Sequence, residues 1–149
     1  MEFVHEVTAY LENKPGRLAK ICSALAQAKV NVRALSVMDA NGRSVLRMVT
    51  DDTEPTKKVL TSLGTEHTWS DALAVEMDNK PGSLARVLER LAEEHINVEY
   101  AYASNAASGG RSMGIFHTSN PKRAQQVLND TSGSFGDNVQ GGRRPLHVR

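Results

Sequence analysis

Asn13-Lys14-Pro15-Gly16, followed by Leu18-Ala19, returns 66 residues later as Asn79-Lys80-Pro81-Gly82, followed by Leu84-Ala85. At that offset residues 13–32 and 79–98 share 10 identities in 20, and most differences are conservative, such as Lys20 against Arg86, Ile21 against Val87 and Val30 against Ile96. One unit is therefore used twice. Each copy joins a turn to a helix start. Proline suits the first helical position because its φ is already fixed and its missing donor would have been unpaired there. The glycine that follows has no Cβ, so a ligand or a neighbouring chain can approach the backbone. The free N–H groups of the first helical turn face outward at the positive end of the helix dipole. Such a corner suits a carboxylate.

Outward from the repeat, residues 2–11 alternate through Phe3, His5, Val7, Ala9 and Leu11, and residues 69–77 match them with Trp69, Leu73, Val75 and Met77. Both stretches read as strands. Leu18, Ile21, Cys22, Leu25 and Ala28 follow helical spacing after the first turn, as Leu84, Val87, Leu88, Leu91 and Ala92 do after the second. The helices leave through Lys29-Val30-Asn31 and His95-Ile96-Asn97, where asparagine suits a left-handed exit. Strands follow at 32–38 and 98–104, then turns at 39–43 and 105–110, then strands at 44–50 and 111–118, which is a hairpin pattern. Glu54-Pro55 and Asn120-Pro121 open second helices carrying Val59, Leu60 and Leu63, and Ala124, Val127 and Leu128. A closing strand at 65–69 completes the first copy as βαββαβ, a ferredoxin-like module with an antiparallel sheet and its helices on one face. The expected class is α+β, with modules at 1–69 and 70–134. The glycine-rich end, 135–149, is expected to be a flexible tail with Arg143, Arg144 and Arg149, and Leu146-His147-Val148 is a candidate for the second copy's missing edge strand.

The 149 residues carry a net charge of +1, which argues against a general electrostatic grip on nucleic acid or anionic membrane. Small solutes and proteins fit better. Units of about 66 residues bury only about 60% of their unfolded surface, so the copies are expected to share an interface and to pair further between chains. Cys22 is the single cysteine; it excludes an internal disulfide and reads as a buried structural thiol in a reducing cytosol. No apolar run approaches a membrane span, and Met1-Glu2-Phe3-Val4-His5-Glu6 lacks a signal peptide's basic region and apolar core, so a cytoplasmic place is expected.

Catalytic chemistry finds no matching pattern. His5, His67, His95, His117 and His147 lie far apart, with no His-Glu-x-x-His and no cysteine pair for zinc. Gly109-Gly110-Arg111-Ser112-Met113-Gly114 falls in a hairpin and lacks the strand-to-helix setting of a phosphate loop. RNA-recognition modules share the βαββαβ plan but stack bases on aromatic residues, which make up only 5% of this chain and are absent from 44–50. No enzyme activity, metal or cofactor is expected.

The two Asn-Lys-Pro-Gly-x-Leu-Ala turns, continued by Ala26 and Val30-Asn31-Val32 and by Ala92 and Ile96-Asn97-Val98, resemble the ACT domain family over residues 2–130. The resemblance implies βαββαβ modules that bind amino acids at domain interfaces and regulate metabolic enzymes or transcription. It places ligand contacts at Asn13, Pro15, Gly16, Arg17 and Leu18 with Asn31 and Val32, and at Asn79, Pro81, Gly82, Ser83 and Leu84 with Asn97 and Val98. Backbone N–H groups of residues 16–18 and 82–84 would take the ligand carboxylate, and the asparagine carboxamides would accept from its ammonium group. Arg17 faces Ser83 in the alignment, so the two sites are expected to differ. Tyr100 and Tyr102 share one side of a strand, open to walling a pocket or meeting a partner sheet. The implied function is a non-catalytic regulatory protein sensing a free amino acid, as a homodimer; the alternative is a regulatory subunit of an amino-acid biosynthetic enzyme such as acetolactate synthase or aspartate kinase.

Overall fold

The alternating stretches form strands and the helical spacings form helices in the computed structural model, which describes residues 1–105 and 110–130. In chain order these are β1 (Glu2–Glu12), α1 (Arg17–Gln27), β2 (Val32–Ala40), β3 (Arg43–Thr50), α2 (Thr53–Ser62), β4 (Glu66–Asp78), α3 (Ser83–Glu93), β5 (Val98–Asn105), β6 (Arg111–Thr118) and α4 (Pro121–Asn129). Asn41 and Gly42 join β2 to β3 with positive φ at both, the backbone that matches the twist of a two-residue hairpin. The turn at 106–109, the tail and the candidate edge strand at 146–148 lie outside the described residues. No described helix is long and apolar enough to cross a membrane.

Six antiparallel strands make one sheet, ordered β2-β3-β1-β4-β6-β5. The closing strand expected at 65–69 and the opening strand expected at 69–77 are one strand, β4. Its first part pairs with β1, from Tyr10 opposite Glu66 to Glu2 opposite Ala74, and its last part pairs with β6, from Leu73 opposite Phe116 to Asp78 opposite Arg111. The first unit is thus a complete βαββαβ module. The second has no closing strand among the described residues; Glu2, Phe3 and Val4 of β1 lie beside Ala74, Leu73 and Ala72, where such a strand would pair.

Two clusters bury the helices on one face. Ile21 and Leu25 of α1 and Leu60 of α2 pack on Val7, Ala9, Leu11, Leu46 and Met48. Val87 and Leu91 of α3 and Ala124, Val127 and Leu128 of α4 pack on Leu73, Val75, Met77 and Phe116. Phe3 stands opposite Leu73 and Val7 opposite Trp69, so both helix pairs lie on the same side of the sheet. Each fully buried Leu or Phe contributes about 1.5–3 kcal/mol. Cys22 is half-buried rather than fully enclosed, and Leu84 and Leu88, expected within the apolar face of α3, are exposed.

The middle of the opposite face is also buried, because the sheet curls until its outer strands β2 and β5 approach one another. Val4, Ala34, Val49, Ala72, Ala74 and Ile115 form its apolar part, with Tyr102 and Met113 against them. Beside them Glu6 is fully buried. Tyr102 donates its O–H to Glu6 Oε2 at 2.7 Å and Tyr100 donates to Oε1. The Arg47 guanidinium lies 4.0 Å from the Tyr100 ring centre, and His117 stacks on that ring at 4.7 Å.

Two outcomes follow from this packing. A Cβ on Gly114 would stand 2.5 Å from Phe116 Cε2 and 2.9 Å from Met77 Cε, both buried. Gly114→Ala is expected to cost about 1–3 kcal/mol, seen as a lower denaturant midpoint with an unchanged slope. Burial, then the hydrogen bond to Glu6 and the charge on it, push the Tyr100 phenol up from 10.0 to about 12, and the same causes raise Tyr102. The folded-state phenols hold their protons longer than unfolded ones, so their contribution is complete below pH 10 and lost as pH rises through about 12. Thermal melts across that range should show an alkaline decline that is reduced in Tyr100→Phe.

Candidate functional site

Both repeated turns fold alike and share three backbone hydrogen bonds. Lys14 N–H donates to Glu12 O and Lys80 N–H to Asp78 O, each at 2.9 Å; Arg17 N–H donates to Lys14 O and Ser83 N–H to Lys80 O, each at 3.3 Å. Lys20 N–H then reaches Gly16 O at 3.0 Å and Arg86 N–H reaches Gly82 O at 3.1 Å. The glycines cap the helices with φ of +85° and +89°, and the prolines precede the caps instead of opening the helices. A left-handed cap costs a non-glycine residue roughly 1–2 kcal/mol. A Cβ on either glycine would meet nothing within 4 Å. Backbone conformation selects glycine here, and the space outside it is open.

The first-turn amides of each helix, those of Leu18 and Ala19 and of Leu84 and Ala85, have no carbonyl of their own helix to bond. Around them the two copies differ. Glu12 engages both Lys14, at 3.1 Å, and Arg17, at 3.3 Å. Those two cations hold the Glu12 carboxyl below the usual range, Lys14 more strongly than Arg17. Lys80 pairs with Asp78 at 3.4 Å, but Ser83, 5% exposed, has a buried hydroxyl with no partner. Arg86, one helical turn on, has a buried Nε with no partner. The second helix start therefore holds unmet donors, whereas the first has its cation neutralised.

A cavity of about 290 Å³ opens beside the first helix start, between Tyr10, Glu12, Arg17, Lys20, Arg43 and Glu66. Arg43 pairs with Glu66 at 3.0 Å and lies 5.2 Å from the Tyr10 ring centre. Both signs of charge line this space, which matches the two ends of a zwitterion. Sequence reasoning missed Tyr10, Lys20, Arg43 and Glu66, since they come from separate elements and no short motif links them.

Asn31 and Asn97 stand at the other end of their helices. Lys29 and His95, with φ of 59° and 55°, make the left-handed exit expected of the asparagines. Val30 N–H bonds Leu25 O and Ile96 N–H bonds Leu91 O, closing both helices on an apolar contact. Asn31 N–H donates to Asp51 Oδ1 at 3.0 Å while Asp51 N–H returns to Asn31 O; Asn97 and Ser119 repeat this clasp. Val32 and Val98 turn into the two helix-side clusters. An 11-residue helix is about 16 Å long, so the turn and the asparagine of one unit do not meet. Strand register does not bring either turn to the other unit's exit. Val98 pairs with Thr118 and Val32 with Thr50, rungs level with His5 and Asp71 in the middle of the β1–β4 ladder, whereas the turns follow Glu12 and Asp78, seven residues away in opposite directions, which at about 3.3 Å per residue is roughly 23 Å.

Among the described residues no group of three or more His, Cys, Asp or Glu is placed to hold a metal ion. The model of the ACT domain pair matches residues 2–139. Protein BT0572 from Bacteroides thetaiotaomicron is similar in structure, with a TM-score of 0.81 and 26% identity over 87% of this chain and 89% of that one. The regulatory subunit of aspartate kinase from Thermus thermophilus follows at 0.62 and 18% over 87% and 97%, and that from Thermus flavus at 0.55 and 20% over 88% and 94%. These two share the fold. A search of curated proteins returned no significant match. With the duplicated turn, the βαββαβ order and the match across nearly its whole described length, the chain belongs to the ACT family as an ACT domain pair.

Proposed function

We propose that this chain is a non-catalytic regulatory protein that binds a small free amino acid, through its carboxylate, at the two glycine-capped helix starts. The observation that carries this reading is the second helix start, where outward amides stand beside a buried Ser83 hydroxyl and an Arg86 Nε that lack partners. A carboxylate would supply the acceptors they need. At the first start the charge-lined cavity supports the same ligand class with a different contact set, Arg17 in place of Ser83. Within one chain the register separates each turn from Asn31, Val32, Asn97 and Val98, so a site that joins residues 13–18 to Asn97 and Val98, or 79–84 to Asn31 and Val32, forms across a homodimer. Leu35, Val37 and Met38 on the outer strand β2 and Leu84 and Leu88 on α3 are exposed apolar side chains, which supports pairing with a second copy. The same surface supports a second reading, a regulatory subunit docked on an amino-acid biosynthetic enzyme such as acetolactate synthase or aspartate kinase. The cytoplasm, where free amino acids are made, is the compartment either role requires.

A thermal-shift scan against the twenty amino acids at a few millimolar tests the proposal. A ligand at 100-fold over its Kd adds about 2.7 kcal/mol to the folded state. One or two related amino acids should raise the melting temperature, and Gly82→Val should abolish most of that rise. A flat response to all twenty overturns the reading. Isolation of the tagged chain from native extract with a catalytic subunit, and an amino-acid response only in that complex, selects the regulatory-subunit form.

A further inference from the structure

Glu6, Arg47, Tyr100 and Tyr102 meet on the curled face from three strands, and the sheet ladder does not bring them together. β4 and β6 lie between β1 and β5. Contact comes from curling alone. The cluster also breaks the internal repeat. At the 66-residue offset Glu6 corresponds to Ala72, Tyr100 to Ala34 and Tyr102 to Ser36. By strand register, Thr8 faces Arg47 where Ala74 faces Ile115. None of the four has a like counterpart, so the cluster is a property of the pairing of the two units and not of the unit itself.

Its location ties it to the candidate ligand contacts. Among the described residues β5 is an outer strand paired with β6 alone, and its ladder is interrupted between Val98 and Tyr100. Tyr100 is therefore the first firmly held residue after Asn97 and Val98. Stacking on His117 and the Arg47 guanidinium fix its ring, Glu6 fixes its hydroxyl, and Tyr102 repeats the anchor two residues on. His117 Nδ1 lies 2.8 Å from Glu99 Oε2 at the interruption, without the alignment of a hydrogen bond.

We propose that Glu6 is a positioning residue for the second unit's ligand-contact strand: by accepting from Tyr100 and Tyr102 it sets the start of β5 against β1, and so couples occupation of the site containing Asn97 and Val98 to the first unit. The coupling rests on the amino-acid-binding reading above; the positioning does not. β2 is the internal control, an equivalent outer strand with an equivalent interruption between Val32 and Ala34 and no tyrosine anchor.

Amide hydrogen exchange on the full chain tests both parts, with wild type, Glu6→Gln and Tyr100→Phe/Tyr102→Phe, alone and with a mixture of the twenty amino acids at 2 mM each. Both variants should speed exchange at 98–104 by about tenfold and leave 32–38 nearly unchanged. Equal acceleration of both outer strands means general destabilisation and overturns the positioning role, as does acceleration of neither. In wild type the mixture should slow exchange at Asn97 and Val98 and also at 2–8 of β1; in the variants the effect on Asn97 and Val98 should weaken and that on 2–8 should vanish. Persistence of the 2–8 effect in the variants overturns the coupling. Protection of neither turn in wild type overturns amino-acid binding, while the contrast between 98–104 and 32–38 still decides the role of Glu6. If Glu6→Gln does not fold, the double tyrosine variant, which keeps the acid, carries the comparison.

Discussion

β4 is the strand on which both units depend, because it is shared between them. A strand in a sheet interior must satisfy donors and acceptors along both edges, and buried backbone groups left unpaired are costly. The first part of the 13-residue β4 pairs along one edge with β1 and the last part along the other with β6, and the two ladders overlap at Leu73 and Ala74. The same residues close the first unit and open the second. Separating the units would strip β1 of one of its two neighbours and leave the second unit with three strands among the described residues. Two units of this size gain the burial that neither reaches alone.

Sharing one strand also sets the geometry of the candidate sites. The antiparallel order makes β1 and β4 point opposite ways, so the repeated turns that follow them emerge at opposite ends of the sheet. Both helix exits, Asn31-Val32 and Asn97-Val98, instead lie level with the middle of the β1–β4 ladder. A duplicated sequence thus yields two turns at opposite ends and two exits at the shared middle, and a ligand that bridged the units there would bias a two-unit equilibrium.

Much of this was legible in the chain. The spacing of Asn-Lys-Pro-Gly gave the duplication, the alternation at 2–11 and 69–77 gave strands, and Leu18 to Leu25 and Leu84 to Leu91 gave helices. What escaped depended on tertiary contact. Alternation through Phe3, His5, Val7, Ala9 and Leu11 marked one face of β1 and carried no sign that Glu6, on the other, is buried. Curling buries the second face as well. Ala72 and Ala74, small residues on the second face of β4, were the available hint. The merging of two expected strands into β4 was likewise hidden, since periodicity does not say whether adjacent stretches of like pattern are broken between them. At the helix exits a local cue misled. Asparagine tolerates left-handed φ, but the position that needs it is set by where Leu25 and Leu91 close the helix, and that falls on Lys29 and His95.

The copies remain alike in backbone and unlike in chemistry, and the difference bears on energetics. At the first helix start Arg17 already has the Glu12 carboxylate beside it, so an incoming anion competes with an ion pair that is largely exposed and worth little. At the second, the Ser83 hydroxyl and Arg86 Nε have given up water without gaining a partner. An unmet buried donor costs about 1–3 kcal/mol, and that cost is already present in the ligand-free fold. An anion placed there recovers it without a fresh desolvation of the protein. Two turns with one backbone geometry would therefore return different energies to a bound anion, because Arg17 is already paired while Ser83 and Arg86 Nε are not.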